Sequence, residues 1–269
     1  MAEVPVRGIR LHVERIGAGD RAVIFLHGLV LDDLSSFYFT MAPAVARFAE
    51  VILYDLRGHG RSERPLTGYS VEEMVADLAA LLDELAVGKP VFLVGHSFGG
   101  LVAITFASRY PARVAGLVLL EPLVGEKGWG DQMAYTLTLK GEERDRQIAS
   151  AFRSWLDRHS NRKRNLLSRI AEDMLNLVHK TSLVEDLRGS PPLAPDQLSR
   201  IRCPILALVG ERSATGETGK NVLGLLSCCE VRVIPGCTHS ILWEATEKVR
   251  QHVVEWLSSR SVACPDSSS

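Results

Sequence analysis

Apolar residues along this chain fall into short runs separated by amphipathic stretches, and that rhythm sets the expected architecture. Ala22–Leu26, Val51–Tyr54, Val91–Val94, Val114–Leu120 and Ile205–Val209 are almost unbroken apolar runs, as expected of strands buried on both faces. Val231–Ile234 reads as a further strand, and Val4–Ile16 as two short strands turning around Gly8. Between them, Val71, Met74, Val75, Leu78, Leu81, Leu82 and Leu85 recur at helical intervals, with Ser70 placed to cap and Glu73 three residues on. Ser35–Phe48 reads as helical, with Pro43 setting a start or a kink, and Glu244–Leu257 as an amphipathic helix. Strands alternating with helices imply right-handed crossovers. The expected fold is α/β, with a mostly parallel central sheet of about eight strands flanked by helices.

The rhythm changes between Pro122 and Pro195. Glu142–Arg158 and Arg162–Lys180 read as helices with no strand between them. Residues 122–195 are therefore expected to form a helical cap over the sheet's carboxyl edge, on a core made of 1–121 and 196–260. Residues 261–269 are polar and expected to be a disordered tail.

Composition narrows the partners. A length of 269 residues suits one α/β domain with an insertion, and 46% hydrophobic with 23% charged residues is ordinary for a globular protein. A net charge of −1 gives no reason to expect nucleic acid or an anionic membrane as partner. The first residues lack a signal-like apolar core, and no run approaches the ~20 apolar residues of a membrane span, so the expected location is cytoplasmic. Five cysteines without paired spacing suggest free thiols and no metal.

One stretch carries chemistry. Val91–Val94 runs into Gly95-His96-Ser97-Phe98-Gly99 and then into a segment that reads as a helix ending near Arg109. That is the pattern of a serine on a sharp strand-to-helix turn, its flanking glycines leaving room for the bend. Ser97 needs a base, and His239, in a loop between the last strand and the last amphipathic helix, is the candidate. The Phe98 N–H, at a helix start, suits a developing oxyanion.

Together, His27-Gly28, Tyr54-Asp55-Leu56-Arg57-Gly58-His59-Gly60-Arg61-Ser62, the Gly-His-Ser-Phe-Gly-Gly elbow and Gly236-Cys237-Thr238-His239 resemble the α/β-hydrolase superfamily over nearly the whole chain. The resemblance implies a Ser97–His239 pair and an oxyanion hole from the Leu29 and Phe98 N–H groups. It also implies that His27, His59 and His96 brace these turns, and that Asp55 is a structural bracket. A serine nucleophile argues against dehalogenases and epoxide hydrolases, whose elbow carries aspartate.

The family's acid follows the strand Ile205–Val209 in a Gly-Glu-x-Asp pattern. Here Gly210-Glu211-Arg212-Ser213 puts serine in that seat, and a hydroxyl cannot balance an imidazolium. Glu121, directly after Val114–Leu120, is the expected substitute, as in branches of the superfamily that relocate the acid. Glu211 and Glu217 are the fallbacks, and Ser213→Ala is expected to change almost nothing.

The resemblance then implies a serine hydrolase that cleaves an ester, thioester or lactone of an apolar or aromatic small molecule, without cofactors, as monomer or homodimer. Basic residues between Arg153 and Arg169 leave room for a thioester on an acidic acyl-carrier domain. Trp129, Met133, Trp155 and Trp243 are the candidate pocket residues. Two alternatives stand beside this: a cofactor-free dioxygenase or carbon–carbon bond hydrolase using a His239–acid dyad, and a non-catalytic ligand-binding homologue.

Overall fold

The computed structural model of the chain describes residues 2–140, 143, 175–213, 222–226 and 228–260. Its centre is one eight-stranded sheet in the order β1-β2-β4-β3-β5-β6-β7-β8. The strands are β1 (Ala2–Val6), β2 (Ile9–Ile16), β3 (Ala22–Leu26), β4 (Glu50–Tyr54), β5 (Val91–His96), β6 (Val114–Leu120), β7 (Ile205–Gly210) and β8 (Cys229–Ile234). β1 and β2 form the antiparallel hairpin around Gly8, and β2 pairs antiparallel with β4. All pairings from β4 to β8 are parallel.

Each buried strand feeds both faces of the sheet because successive side chains point opposite ways. Ile24, Leu26, Leu93, Leu117 and Leu119 pack in one layer with α3 (Val71–Glu84) and α4 (Phe98–Arg109). Val23, Phe25, Phe92, Val94 and Val118 pack in the other with Phe37, Val45, Val253 and Trp256. That two-sided burial is why these strands read as continuous apolar runs rather than alternating ones.

Two expected helices are divided. Ser35–Phe48 becomes α1 (Ser35–Tyr38) and α2 (Ala42–Val45), with Pro43 in the first turn of α2, where its missing N–H costs nothing. The expected helix Glu244–Leu257 starts instead at Thr246 and runs to Ser258, set off from a short helix Ile241–Glu244 by Ala245, whose φ of −136° and ψ of 40° are not helical. Ser70 caps α3 as its sequence implied, its hydroxyl accepting the Glu73 N–H. After β6 come α5 (Trp129–Thr138), α6 (Leu183–Arg188) and α7 (Pro195–Ser199). Residues 175–180 are also helical, and most of the two long helices expected in 142–180 lies outside the described residues. Among the described residues, no helix is long and apolar enough to cross a membrane.

The parallel strands all point one way, so the segments that follow β3, β4, β5, β6 and β7 meet along one edge. In open α/β sheets that carboxyl edge is where sites form.

Candidate active site

Ser97 sits between β5 and α4 with φ 52° and ψ −116°. A non-glycine residue there carries strain of about 1–3 kcal/mol, and its surroundings hold it in place. Its N–H donates to the Leu120 carbonyl at 3.0 Å, and its own carbonyl accepts from the Leu123 N–H at 2.9 Å. A Cβ at Gly99 would collide with the Leu26 carbonyl oxygen, and one at Gly95 would come within 2.5 Å of the Gly99 oxygen. The two glycines flanking the serine are therefore steric necessities of the turn.

Those same bonds place the acid. Ser97 and Leu123 grip the segment after β6, and between them Glu121 takes φ 48° and is fully buried. Its Oε1 accepts the Gly210 N–H and its Oε2 accepts the Ser213 hydroxyl. His239 Nδ1 lies 3.2 Å from the same Oε2, and His239 Nε2 lies 3.0 Å from Ser97 Oγ. Burial pushes the Glu121 carboxyl up, but the His239, Gly210 and Ser213 donors together outweigh it and hold the group below the usual carboxylate value. With Glu121 ionised, Nδ1–H donates to it and the Nε2 lone pair accepts from Ser97.

The turn after β7 holds the His239 loop. The Arg212 N–H donates to the Cys237 carbonyl at 2.8 Å, and Glu211 Oε2 accepts the Gly236 N–H at 2.8 Å. From the far side, Glu244 accepts the Thr238 N–H at 2.6 Å and its hydroxyl at 3.0 Å. The imidazole itself is half exposed.

The loop after β3 is braced by two buried histidines. His27 Nε2 accepts the Leu56 N–H at 2.9 Å, so its Nδ1–H donates to the Gly28 carbonyl. His59 Nε2 accepts the Val30 N–H at 2.8 Å and its Nδ1–H donates to the Arg57 carbonyl. Burial, with His27 beside it, pushes the His59 pKa down to about 3, so it stays a neutral acceptor. Among the described residues, the Leu29 and Phe98 N–H groups meet no acceptor.

Against this geometry stand the comparisons with known proteins. A family model described as the alpha/beta hydrolase fold matches residues 21–191. The chain belongs to the α/β-hydrolase family. It is 28% identical to the 2-hydroxy-6-oxononadienedioate/2-hydroxy-6-oxononatrienedioate hydrolase of Burkholderia vietnamiensis, over 93% of this chain and 91% of that one. Among solved structures it is similar to a thermophilic esterase from Thermogutta terrifontis, at a TM-score of 0.71 and 26% identity, covering 96% of this chain and 97% of that one. A meta-cleavage product hydrolase shares the fold at a TM-score of 0.79 and 22% identity, covering 96% and 98%.

Within this α/β-hydrolase the other sequence candidates are distributed unevenly. Trp129 is buried in the main core at the start of α5, its indole N–H 3.4 Å from the Pro191 carbonyl. Met133 packs against the same core, while Trp243 packs against the cluster on the opposite face of the sheet. Trp155 and Glu217 lie outside the described residues. Glu211 serves the His239 loop, as above. Asp55 is a bracket, accepting from Leu34 N–H, Arg61 N–H and His12 Nδ1.

Two participants escaped the sequence reading. Ser213, read as a vacated seat, donates its hydroxyl to Glu121. Asp32, given no role in the sequence reading, bonds both Gly28 and His96. In each case the only sequence signal was a polar residue beside a family motif.

Proposed function

We propose that the chain is a serine hydrolase cleaving a carboxylic ester, thioester or lactone of an apolar small molecule through an acyl-enzyme. One observation carries the reading: the hydrogen-bonded series from buried Glu121 through His239 to Ser97, beside two N–H groups without acceptors among the described residues. In this mechanism Ser97 Oγ attacks the substrate carbonyl as His239 Nε2 takes its proton. Glu121 holds Nδ1–H and offsets the charge of the imidazolium. The Leu29 and Phe98 N–H groups bind the oxyanion. His239 then protonates the leaving group, and a water deprotonated by the same nitrogen releases the acyl chain from Ser97. Leu29, Val30, Leu31, Leu123 and Leu193 pack partly buried near these elements, which favours an apolar substrate over a highly charged one.

A second reading is hydrolysis of a carbon–carbon bond beside a ketone. Its support is the full-length similarity to a hydrolase named for a 2-hydroxy-6-oxo dienoate. The same three side chains serve either bond, so the substrate separates the two.

The experiment is labelling with a fluorophosphonate probe, followed by a screen of p-nitrophenyl esters, acyl thioesters, lactones and 2-hydroxy-6-oxo dienoates. Labelling that disappears in Ser97→Ala, with turnover of the first three classes, is the expected result. Turnover confined to the dienoates moves the assignment to the second reading. Folded protein that neither labels nor turns anything over removes the catalytic reading and leaves a ligand-binding homologue.

A further inference from the structure

We propose that Asp32 is a positioning residue for the oxyanion hole, clamping the loop that carries Leu29 to the elbow that carries Ser97 and holding His96 as its Nδ1–H tautomer. This rests on the reading of Ser97 as nucleophile. The clamp is a single carboxylate oxygen. Asp32 Oδ2 accepts the Gly28 N–H at 2.8 Å and faces His96 Nδ1 at 3.2 Å. Gly28 immediately precedes Leu29, and His96 immediately precedes Ser97. One atom thus fixes the residue before each partner in the proposed chemistry. The contact is close: a Cβ on Gly28 would lie 3.0 Å from Asp32 Oδ2 and 3.3 Å from His96 Nδ1. The second oxygen is also engaged, accepting the Ser36 hydroxyl and, at 3.1 Å, the Asp33 N–H.

A carboxylate is required here because each of its oxygens faces a backbone N–H that can only donate, Gly28 on one side and Asp33 on the other. An asparagine of the same size has to turn its NH₂ toward one side or the other, and it then meets either the Gly28 N–H or the Asp33 N–H, neither of which can accept. The same logic sets the His96 tautomer. His96 Nε2 is buried and meets no hydrogen-bond partner among the described residues. A proton there would be an orphaned buried donor, while the Nδ1 lone pair would face a carboxylate. The proton therefore sits on Nδ1. The His96 ring lies 5.5 Å from the His239 ring, tilted by 34°, and in this tautomer its only N–H is spent on Asp32.

The test uses the whole chain and three readouts. Nitrogen-15 NMR of the imidazoles, with His96→Gln for assignment, reports the tautomer in the wild-type protein. Amide hydrogen exchange reports the Gly28 N–H. Kinetics with a p-nitrophenyl ester split kcat from KM in Asp32→Asn. Expected are a protonated Nδ1 on His96, faster Gly28 exchange in Asp32→Asn, and kcat lower by roughly ten- to a hundredfold at similar KM, the signature of a displaced transition-state contact. A proton on Nε2 of wild-type His96, or an Asp32→Asn enzyme with unchanged kcat, overturns the proposal. If Asp32→Asn does not fold, the wild-type spectrum still decides the tautomer, and Ser36→Ala, which removes one of Asp32's donors, should lower kcat a few-fold; no change there is equally adverse. Failure of the hydrolase reading is distinguishable, because it shows as wild-type protein that neither labels nor turns over while the tautomer and exchange results still judge the clamp.

Discussion

The Ser213 hydroxyl donates to the same carboxylate oxygen of Glu121 that faces His239 Nδ1. The residue standing where the family keeps its acid thus contacts Glu121, the proposed substitute acid. Ser213→Ala should therefore cost activity, where the sequence alone gave no reason to expect a change. It removes one donor from a fully buried carboxylate, and a hydrogen bond to a charged group is worth about 1.5–3 kcal/mol. If about half of that reaches the transition state, kcat drops roughly three- to tenfold. Steady-state kinetics of Ser213→Ala beside Ser213→Thr, which keeps the hydroxyl, checks this: the threonine enzyme should retain most of the activity.

The two seats should also be exchangeable. Glu121→Ser removes the charge facing His239 and should lower turnover by about four decades. Adding Ser213→Asp restores a carboxylate within reach of the same ring nitrogen, and the double variant should recover at least about tenfold over Glu121→Ser alone. Ser213→Asp by itself places two carboxylates at hydrogen-bond distance, where one must keep its proton, so it should be slower than wild type. A double variant no better than Glu121→Ser would show that position 213 serves only to hold Glu121.

Most of the fold was legible because its signals are local. The runs that became β3 to β7 need only their own residues to be read, and so does the Gly95–Gly99 turn. The nearness of Glu121 to His239 was expected from a local fact, an acid directly after a buried strand, together with the serine at 213. What stayed hidden depends on register between distant segments. Ser213 and Glu121 are 92 residues apart, and Asp32 and His96 are 64 apart; each pair meets only after the parallel strands align. Pro43 marked the start of the second short helix, whereas nothing local marked the non-helical Ala245. Trp129, a candidate pocket residue, is packed into the core, where large apolar side chains at helical spacing usually go.

Strain at the nucleophile gives a stability prediction separate from activity. Ser97 has φ 52°, a region that glycine enters without steric cost and alanine does not. Ser97→Ala and Ser97→Gly should both lose fluorophosphonate labelling. In urea unfolding, however, the glycine variant should be the more stable of the two by about 1 kcal/mol, after allowing for the greater freedom of glycine in the unfolded chain. Equal midpoints would mean that the turn carries no strain at this residue.

His59 should make the fold sensitive to mild acid. Its Nε2 accepts the Val30 N–H, a bond that a proton on that nitrogen abolishes. The folded-state pKa is pushed down to about 3 by burial and by His27, whereas an unfolded histidine titrates at about 6.5. Between those values the unfolded chain binds the proton and the native protein does not. The contribution is therefore present in full above about pH 6.5 and is lost as pH falls toward 3, at up to about 1.4 kcal/mol per pH unit. His59→Gln, whose amide oxygen can still accept from Val30, removes that titration. Urea midpoints measured from pH 7 to pH 4 should fall less steeply for His59→Gln than for wild type, even if the variant starts lower. The oxyanion loop should respond in the same interval: the protection of the Val30 amide, taken relative to its intrinsic exchange rate at each pH, should fall on acidification in the wild type but not in the variant. Parallel pH slopes for the two proteins would mean that His59 takes up its proton without disturbing the loop.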